Sequence, residues 1–157
     1  MIIVSNTTPL NYLTLIDEIE ILPQLFGTLI IPPAVHAELQ HPDAPEPVRT
    51  WANTLPPWIH VHPLTISNSL LSQQLDPGET EAILLAQAMQ AHLVLLDDFR
   101  AREIAHSQGL TVTGTLGLLD RAASQKLIDL PRAIQKLQQT SFWVSDRLLQ
   151  QLLQKYR

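Results

Sequence analysis

Cysteine is missing from the 157 residues, which removes thiol catalysis, disulfide staples and any cysteine-based metal cage from consideration. Glycine is nearly as scarce. With five glycines and no Gly-x-Gly-x-x-Gly or P-loop run, the chain has no glycine-rich cradle for phosphates, which argues against a nucleotide cofactor. Lys and Arg number 10 against 15 Asp and Glu, a net charge of −5. A protein that holds nucleic acid mainly by neutralising phosphates needs clustered basic residues, and here they are thinly spread. That balance leaves room for a nuclease, whose clustered acids add to the negative count while bound metal cancels part of it locally. No apolar stretch reaches the roughly 20 residues of a membrane helix, and no basic segment followed by a long apolar run opens the chain. The expectation is a soluble cytoplasmic protein without a membrane partner, reducing conditions being compatible with the missing cysteines.

At this length one domain is the simplest organisation, with roughly two-thirds of the unfolded surface buried on folding. Short apolar runs alternate with helical patterns, which predicts an α/β fold, a three-layer α/β/α sandwich around a mainly parallel sheet. Strands are expected at residues 2–4, 28–31, 93–96 and 110–113, and an edge strand at Trp58-Ile59-His60-Val61-His62, where apolar and polar side chains alternate. Helices are expected at 9–17, 19–26 with Gly27 as the stop, from Pro33 through Leu39, near 48–53, at 65–75, from Asp76 onward, at 101–108 and at 116–125. Residues 131–157 read as a C-terminal helical extension of this single domain, with Leu148, Leu149, Leu152 and Leu153 forming a stripe that either caps the domain or meets a partner.

Carboxylates stand where apolar segments end or amphipathic helices begin: Glu38 in the helix after Ile30-Ile31-Pro32-Pro33, Glu79 and Glu81 after Asp76-Pro77-Gly78, and Asp97-Asp98 closing Leu93-Val94-Leu95-Leu96. A parallel sheet gathers the carboxyl ends of its strands along one edge, so acids distant in sequence meet in one crevice. Hard oxygen ligands of this kind favour Mg²⁺ or Mn²⁺. Such ions lower the pKa of bound water and stabilise the charge that builds on a phosphodiester during hydrolysis. The first strand ends in Ser5-Asn6-Thr7-Thr8-Pro9, with an amide at Asn6 where a metal site would take one more carboxylate. Arg100 and Arg102 are the basic pair next to Asp98.

Each of these residues has an ordinary account as well. Glu79 and Glu81 suit the first turns of a helix through the macrodipole. His60 and His62 share a strand face and could share a metal, but no third ligand accompanies them and a solvated face accounts for both. His36 reads as surface. Ser5, Thr7 and Thr8 lack a nucleophile elbow and read as loop hydroxyls that bond backbone, a metal-bound water or a neighbouring carboxylate. Trp51, Trp58 and Trp143 are not interleaved with basic residues, so the linear pattern gives no stacking platform for single-stranded nucleic acid.

The runs Ile3-Val4-Ser5-Asn6-Thr7-Thr8-Pro9-Leu10, Ile30 to Leu39, Leu75-Asp76-Pro77-Gly78-Glu79-Thr80-Glu81-Ala82-Ile83, Leu95 to Arg102 and Val112 to Gly117 together resemble the prokaryotic PIN-domain proteins. The match is to the branch catalogued as DUF3368 and likened to VapC-type toxins. The resemblance implies a Mg²⁺- or Mn²⁺-dependent endoribonuclease, often the toxin of a toxin–antitoxin pair and often a homodimer, with RNA and a small antitoxin protein as partners. By position, the family's first-strand aspartate falls on Asn6, its helix glutamate on Glu38, its mid-chain acid on Glu81 with Glu79 beside it, and its late aspartate on Asp98 with Asp97 adjacent. Glu38, Glu81 and Asp98 are then the catalytic acids. The metal ligands come from Asn6, Glu38, Glu79, Glu81, Asp97 and Asp98, and substrate contacts from Thr7, Arg100 and Arg102. Asn6 departs from the family's Ser-Asp-Thr-Ser-Pro run, which removes one negative charge while keeping a side-chain oxygen. The alternative is a catalytically weakened PIN-like module that binds RNA or protein. A receiver-like signalling domain using the acidic pair as phosphoacceptor is a third reading, against which stands the lack of a well-placed late lysine.

Overall fold

The computed structural model describes residues 1–65 and 70–156. Five short strands, β1 (Ile3–Ser5), β2 (Leu29–Ile31), β3 (Ile59–Val61), β4 (Leu93–Leu95) and β5 (Val112–Thr113), form one sheet in the order β3-β2-β1-β4-β5 with every pairing parallel. The helices are α1 (Thr7–Leu15), α2 (Ile21–Phe26), α3 (Pro33–Leu39), α4 (Glu46–Asn53), α5 (Pro77–Met89), α6 (Phe99–Ser107), α7 (Thr115–Ser124), α8 (Leu130–Gln138) and α9 (Asp146–Gln154).

Strand side chains alternate between faces, and each face is apolar because each is covered. Ile3, Leu29, Ile31, Ile59, Leu93 and Leu95 pack into one core with Leu10 and Leu13 of α1, Val35 of α3, Leu118 of α7 and Ile134 of α8. Val4, Val94 and Leu96 point the other way, against Ile83 and Leu85 of α5 and Ala101 and Ala105 of α6. Two helical layers therefore sandwich the sheet, as the apolar runs predict. The expected edge strand is β3, at one end of the sheet.

Two helix starts depart from the periodicity by two residues. The α6 helix begins at Phe99 rather than Ala101 because the Asp98 carboxylate accepts the Ala101 N–H at 2.9 Å and caps the first turn. The α1 helix begins at Thr7, so Thr7 and Thr8 are helical rather than loop residues. The helix expected over 65–75 falls partly on residues 66–69, outside the described residues; a short 3-10 helix, Leu70–Gln73, follows. Gly27 ends α2 at φ 80°, a conformation that costs other residues more.

In the C-terminal extension, Leu149 is 3% exposed within the first core and Leu152 and Leu153 pack on it, while Leu148 is 47% exposed. Most of the leucine stripe thus caps its own domain. The α9 helix is also pinned to α7, where Lys155 donates to Asp120 at 2.8 Å and the Tyr156 hydroxyl donates to the same side chain.

Candidate functional site

Strand order reverses between β1 and β4: the chain winds outward through β2 and β3, then returns to place β4 on the other side of β1. Connections leave these two strands in opposite directions, which opens a crevice beyond their carboxyl ends. Asn6 follows β1 and the Asp97-Asp98 pair follows β4 by two residues; the Asn6 N–H donates to the Leu95 carbonyl at 2.9 Å, fixing the two ends side by side.

Asn6 is 3% exposed, and its Oδ1 is buried without a hydrogen-bond partner among the described residues. It precedes α1 in extended backbone but makes no side-chain cap. A buried polar atom left unpaired is costly, and such atoms are few in folded proteins.

Two helices bring glutamates to this crevice. The α3 helix packs against α5, and Glu38 near the end of α3 accepts the Thr7 hydroxyl. Its carboxylate also fills the space over Gly78, so that any Cβ there would collide with it. Burial raises the Glu38 pKa, opposed by the Thr7 hydrogen bond and reinforced by the charges of Asp76 and Glu81. Glu79 closes a reciprocal capping box with Asp76, accepting the Asp76 N–H at 3.2 Å while its own N–H donates to Asp76 at 2.7 Å. Burial, with Asp76, Asp98 and Glu38 as like-charged neighbours, pushes its carboxyl up to about 7. Glu81 accepts the Ala34 N–H at 3.0 Å, tying α5 to the start of α3.

At the other flank, Asp97 accepts the Thr115 N–H and hydroxyl, both at 2.7 Å, at the start of α7. Burial raises its pKa against these two bonds and the nearby Arg102. Gly114 lies so close that a Cβ would stand 2.7 Å from the Asp97 carboxylate. Arg100 and Arg102 are exposed, and among the described residues neither forms an ion pair.

Glu38, Glu79, Glu81 and Asp98 are therefore linked by mutual repulsion around the crevice, with Asn6 in its floor strand and Thr7 held on Glu38. Asp97 points toward Thr115 and Arg102 instead. Pattern reading missed two participants. Thr115 was legible as the residue after Gly114 at a helix start, and Asp76 as the N-cap of α5. His36 is half-buried, its Nε2 3.0 Å from the Ala52 carbonyl, rather than free on the surface. His60 and His62 stand apart from this edge on β3 and the loop after it.

The chemistry of this donor set fits a hard divalent cation. All donors are oxygens, like charges crowd one another with no cation between them, and one buried amide oxygen has no protein partner. Among the described residues no three Asp, Glu or His side chains are already gathered around one point, because each acid is engaged by a hydroxyl or backbone N–H of its own.

A family model described as "DUF3368: PIN domain" matches residues 2–157. Among solved structures, the fold is similar to that of a PilT N-terminus domain protein from the hyperthermophilic archaeon Sulfolobus solfataricus P2. The TM-score is 0.57 at 18% identity, covering 78% of this chain and 93% of that one. No curated protein matches the chain.

Proposed function

Because the chain belongs to the DUF3368 family of PIN domains, a fold family made up generally of nucleases, we propose that it is a metal-dependent endoribonuclease. The observation that carries this reading is the set of repelling carboxylates around the unpaired Asn6 oxygen at the strand-order reversal. Asn6, Glu38, Glu79, Glu81 and Asp98 would hold Mg²⁺ or Mn²⁺, with Asp97 oriented behind them by Thr115. When bound, such a cation supplies Lewis-acid stabilisation of the charge that develops on the phosphodiester oxygens.

The chain's own groups do the positioning. Thr7 orients Glu38, the Ala34 N–H orients Glu81, and the Asp76 capping box orients Glu79. Arg100 and Arg102, free of ion pairs among the described residues, meet RNA phosphates at the rim. Burial and the charges of Asp76, Asp98 and Glu38 push the Glu79 carboxyl up to about 7, and a bound cation would favour its ionised form.

One observation favours a second reading, an RNA- or protein-binding module of weakened activity: the neutral amide of Asn6 attracts a divalent cation less than a carboxylate does. Cleavage of unstructured RNA by purified protein with and without Mn²⁺ separates the two, with Glu81→Gln as the control for contaminating nuclease. Mn²⁺-dependent cleavage lost in Glu81→Gln supports the enzyme. RNA binding without cleavage supports the module. A homodimer and a small antitoxin partner belong to the same family-based proposal, and sedimentation at micromolar concentration tests the first.

A further inference from the structure

Among the described residues, three of the seven exposed large apolar side chains, Trp143, Phe99 and Leu148, line one groove beside the crevice. Trp143 is 84% exposed and Phe99 72% exposed, and both line a groove of about 560 Å³ whose wall also carries Arg102, Asp97 and Leu148. A second groove of about 250 Å³ shares Phe99, Arg102 and Val112 with the first and extends past Glu103 and His106. The two make one track that leads from Trp143, past Asp97, and around the start of α6. Trp143 is held there by its neighbours: Phe142 and Val144 pack on the core, and Phe142 meets Tyr12 edge-on at 4.9 Å. The Tyr12 hydroxyl is 2.8 Å from Ser141 Oγ. Alternation thus aims the indole outward from an anchored segment.

We propose that this track binds the unpaired nucleotides of a single-stranded RNA beside the cleavage point. Bases stack on Trp143 and Phe99, and the Arg102 guanidinium meets a phosphate between them. This rests on the endoribonuclease reading and adds a stacking subsite outside the crevice. Three features favour nucleotides over an apolar protein segment. The most exposed apolar groups lining the track, Trp143 and Phe99, are flat aromatic rings, which stack on any base. Arg102 is a guanidinium without an ion pair among the described residues, complementary to phosphate. The track is also continuous with Asp97 at the edge of the acidic crevice, where a bound strand has to arrive.

Binding is read with metal chelated, so that it is independent of cleavage. A labelled unstructured oligoribonucleotide of about ten residues and a duplex of the same length are titrated into wild type, Trp143→Leu, Trp143→Phe, Phe99→Leu and Arg102→Gln. The single strand is expected to quench the protein's tryptophan emission. Trp143→Leu and Phe99→Leu should each weaken it by about 5- to 150-fold, while Trp143→Phe retains most of the affinity and the duplex binds weakly to all. Equal single-strand affinity in wild type and Trp143→Leu overturns the proposal. So does a dimer in sedimentation that Trp143→Leu converts to monomer, which would make the patch a contact between copies. Metal-dependent cleavage with unchanged KM in Trp143→Leu would overturn the track and leave the nuclease standing. Aromatic-dependent binding without cleavage would do the reverse.

Discussion

Two groups of carboxylates in this molecule face opposite environments. On the α7–α9 side, burial would raise the pKa of Asp120, but Lys155 and the Tyr156 hydroxyl bring it below the usual carboxylate range, and the same bond pushes Tyr156 up to about 12. In the crevice, burial raises Glu38 and Glu79, reinforced by the charges of Asp76 and Glu81 on the first and of Asp76, Asp98 and Glu38 on the second. The first group is already satisfied by the chain and holds two helices together. The second is raised by burial and like charges, the setting in which the proposed cation would bind. On the proposed reading, stability and function draw on different acids of the same protein, and the contrast can be broken or sharpened by experiment.

The largest effect is expected on catalysis. Glu38→Gln and Asp98→Asn should each lower Mn²⁺-dependent RNA cleavage on the order of 10²–10³-fold, whereas Asp120→Asn leaves the rate unchanged. Asparagine caps a helix about as well as aspartate, so α6 survives the Asp98 substitution and circular dichroism should match wild type. Equal losses in all three variants would erase the distinction. Next in size, Asn6→Asp returns a charge to the crevice and should tighten Mn²⁺ binding about tenfold, or about 1.4 kcal/mol, by calorimetry. Unchanged affinity would remove Asn6 from the ligand set.

A smaller effect concerns pH. The folded pKa of Glu79, about 7, lies above the ordinary glutamate value of 4.5, so its contribution to stability is full below that lower value and is lost as pH rises through the folded one. Metal-free protein should lose melting temperature between pH 5 and 8 by about 2–4 °C from this group, discounted for its partial exposure. Glu79→Gln, which still accepts the Asp76 N–H, should flatten the profile, and saturating Mn²⁺ should raise the wild-type value most at high pH. The smallest effect is Asp120→Asn, which removes a half-exposed ion pair and should cost about 0.5 kcal/mol. Its sign with pH is opposite: the folded pKa is lowered, so the contribution is present above the usual value of 3.8 and fades as pH falls through the folded one. Differential scanning calorimetry across pH compares the two slopes directly.

The layered fold was legible because apolar periodicity and strand alternation are local properties of the chain. Leu93 to Leu96, apolar throughout, could belong to a strand covered on both faces, and the structure covers both. Boundaries were legible only to within a turn, since Asp98 and Asn6 set the starts of α6 and α1 through their own backbone conformation. In the site, the carboxylates could be named from their places after apolar runs, and the family match over residues 2–157 agrees with the motifs that carried the resemblance. That match leaves no place for a receiver-like phosphoacceptor. What linear spacing could not reveal was the partner of each acid. Asp97 and Asp98 are adjacent in the chain yet serve opposite flanks, one bonded to Thr115 and the other capping α6 beside Glu79.

Trp143 makes the same point. Its neighbours in the chain include no basic residue, so a stacking surface could not be read there, and only folding sets it in a groove with Arg102 of α6. Composition and pattern sufficed to establish an α/β chain without thiol chemistry or a glycine-rich phosphate cradle and to name carboxylates at the sheet edge, because hydrophobic period and residue type survive in one dimension. Which charges repel, which hydroxyl holds which acid, and which oxygen is left without a partner depend on distances of a few ångströms between segments tens of residues apart. Those distances exist only once the two cores have packed the helices onto the sheet.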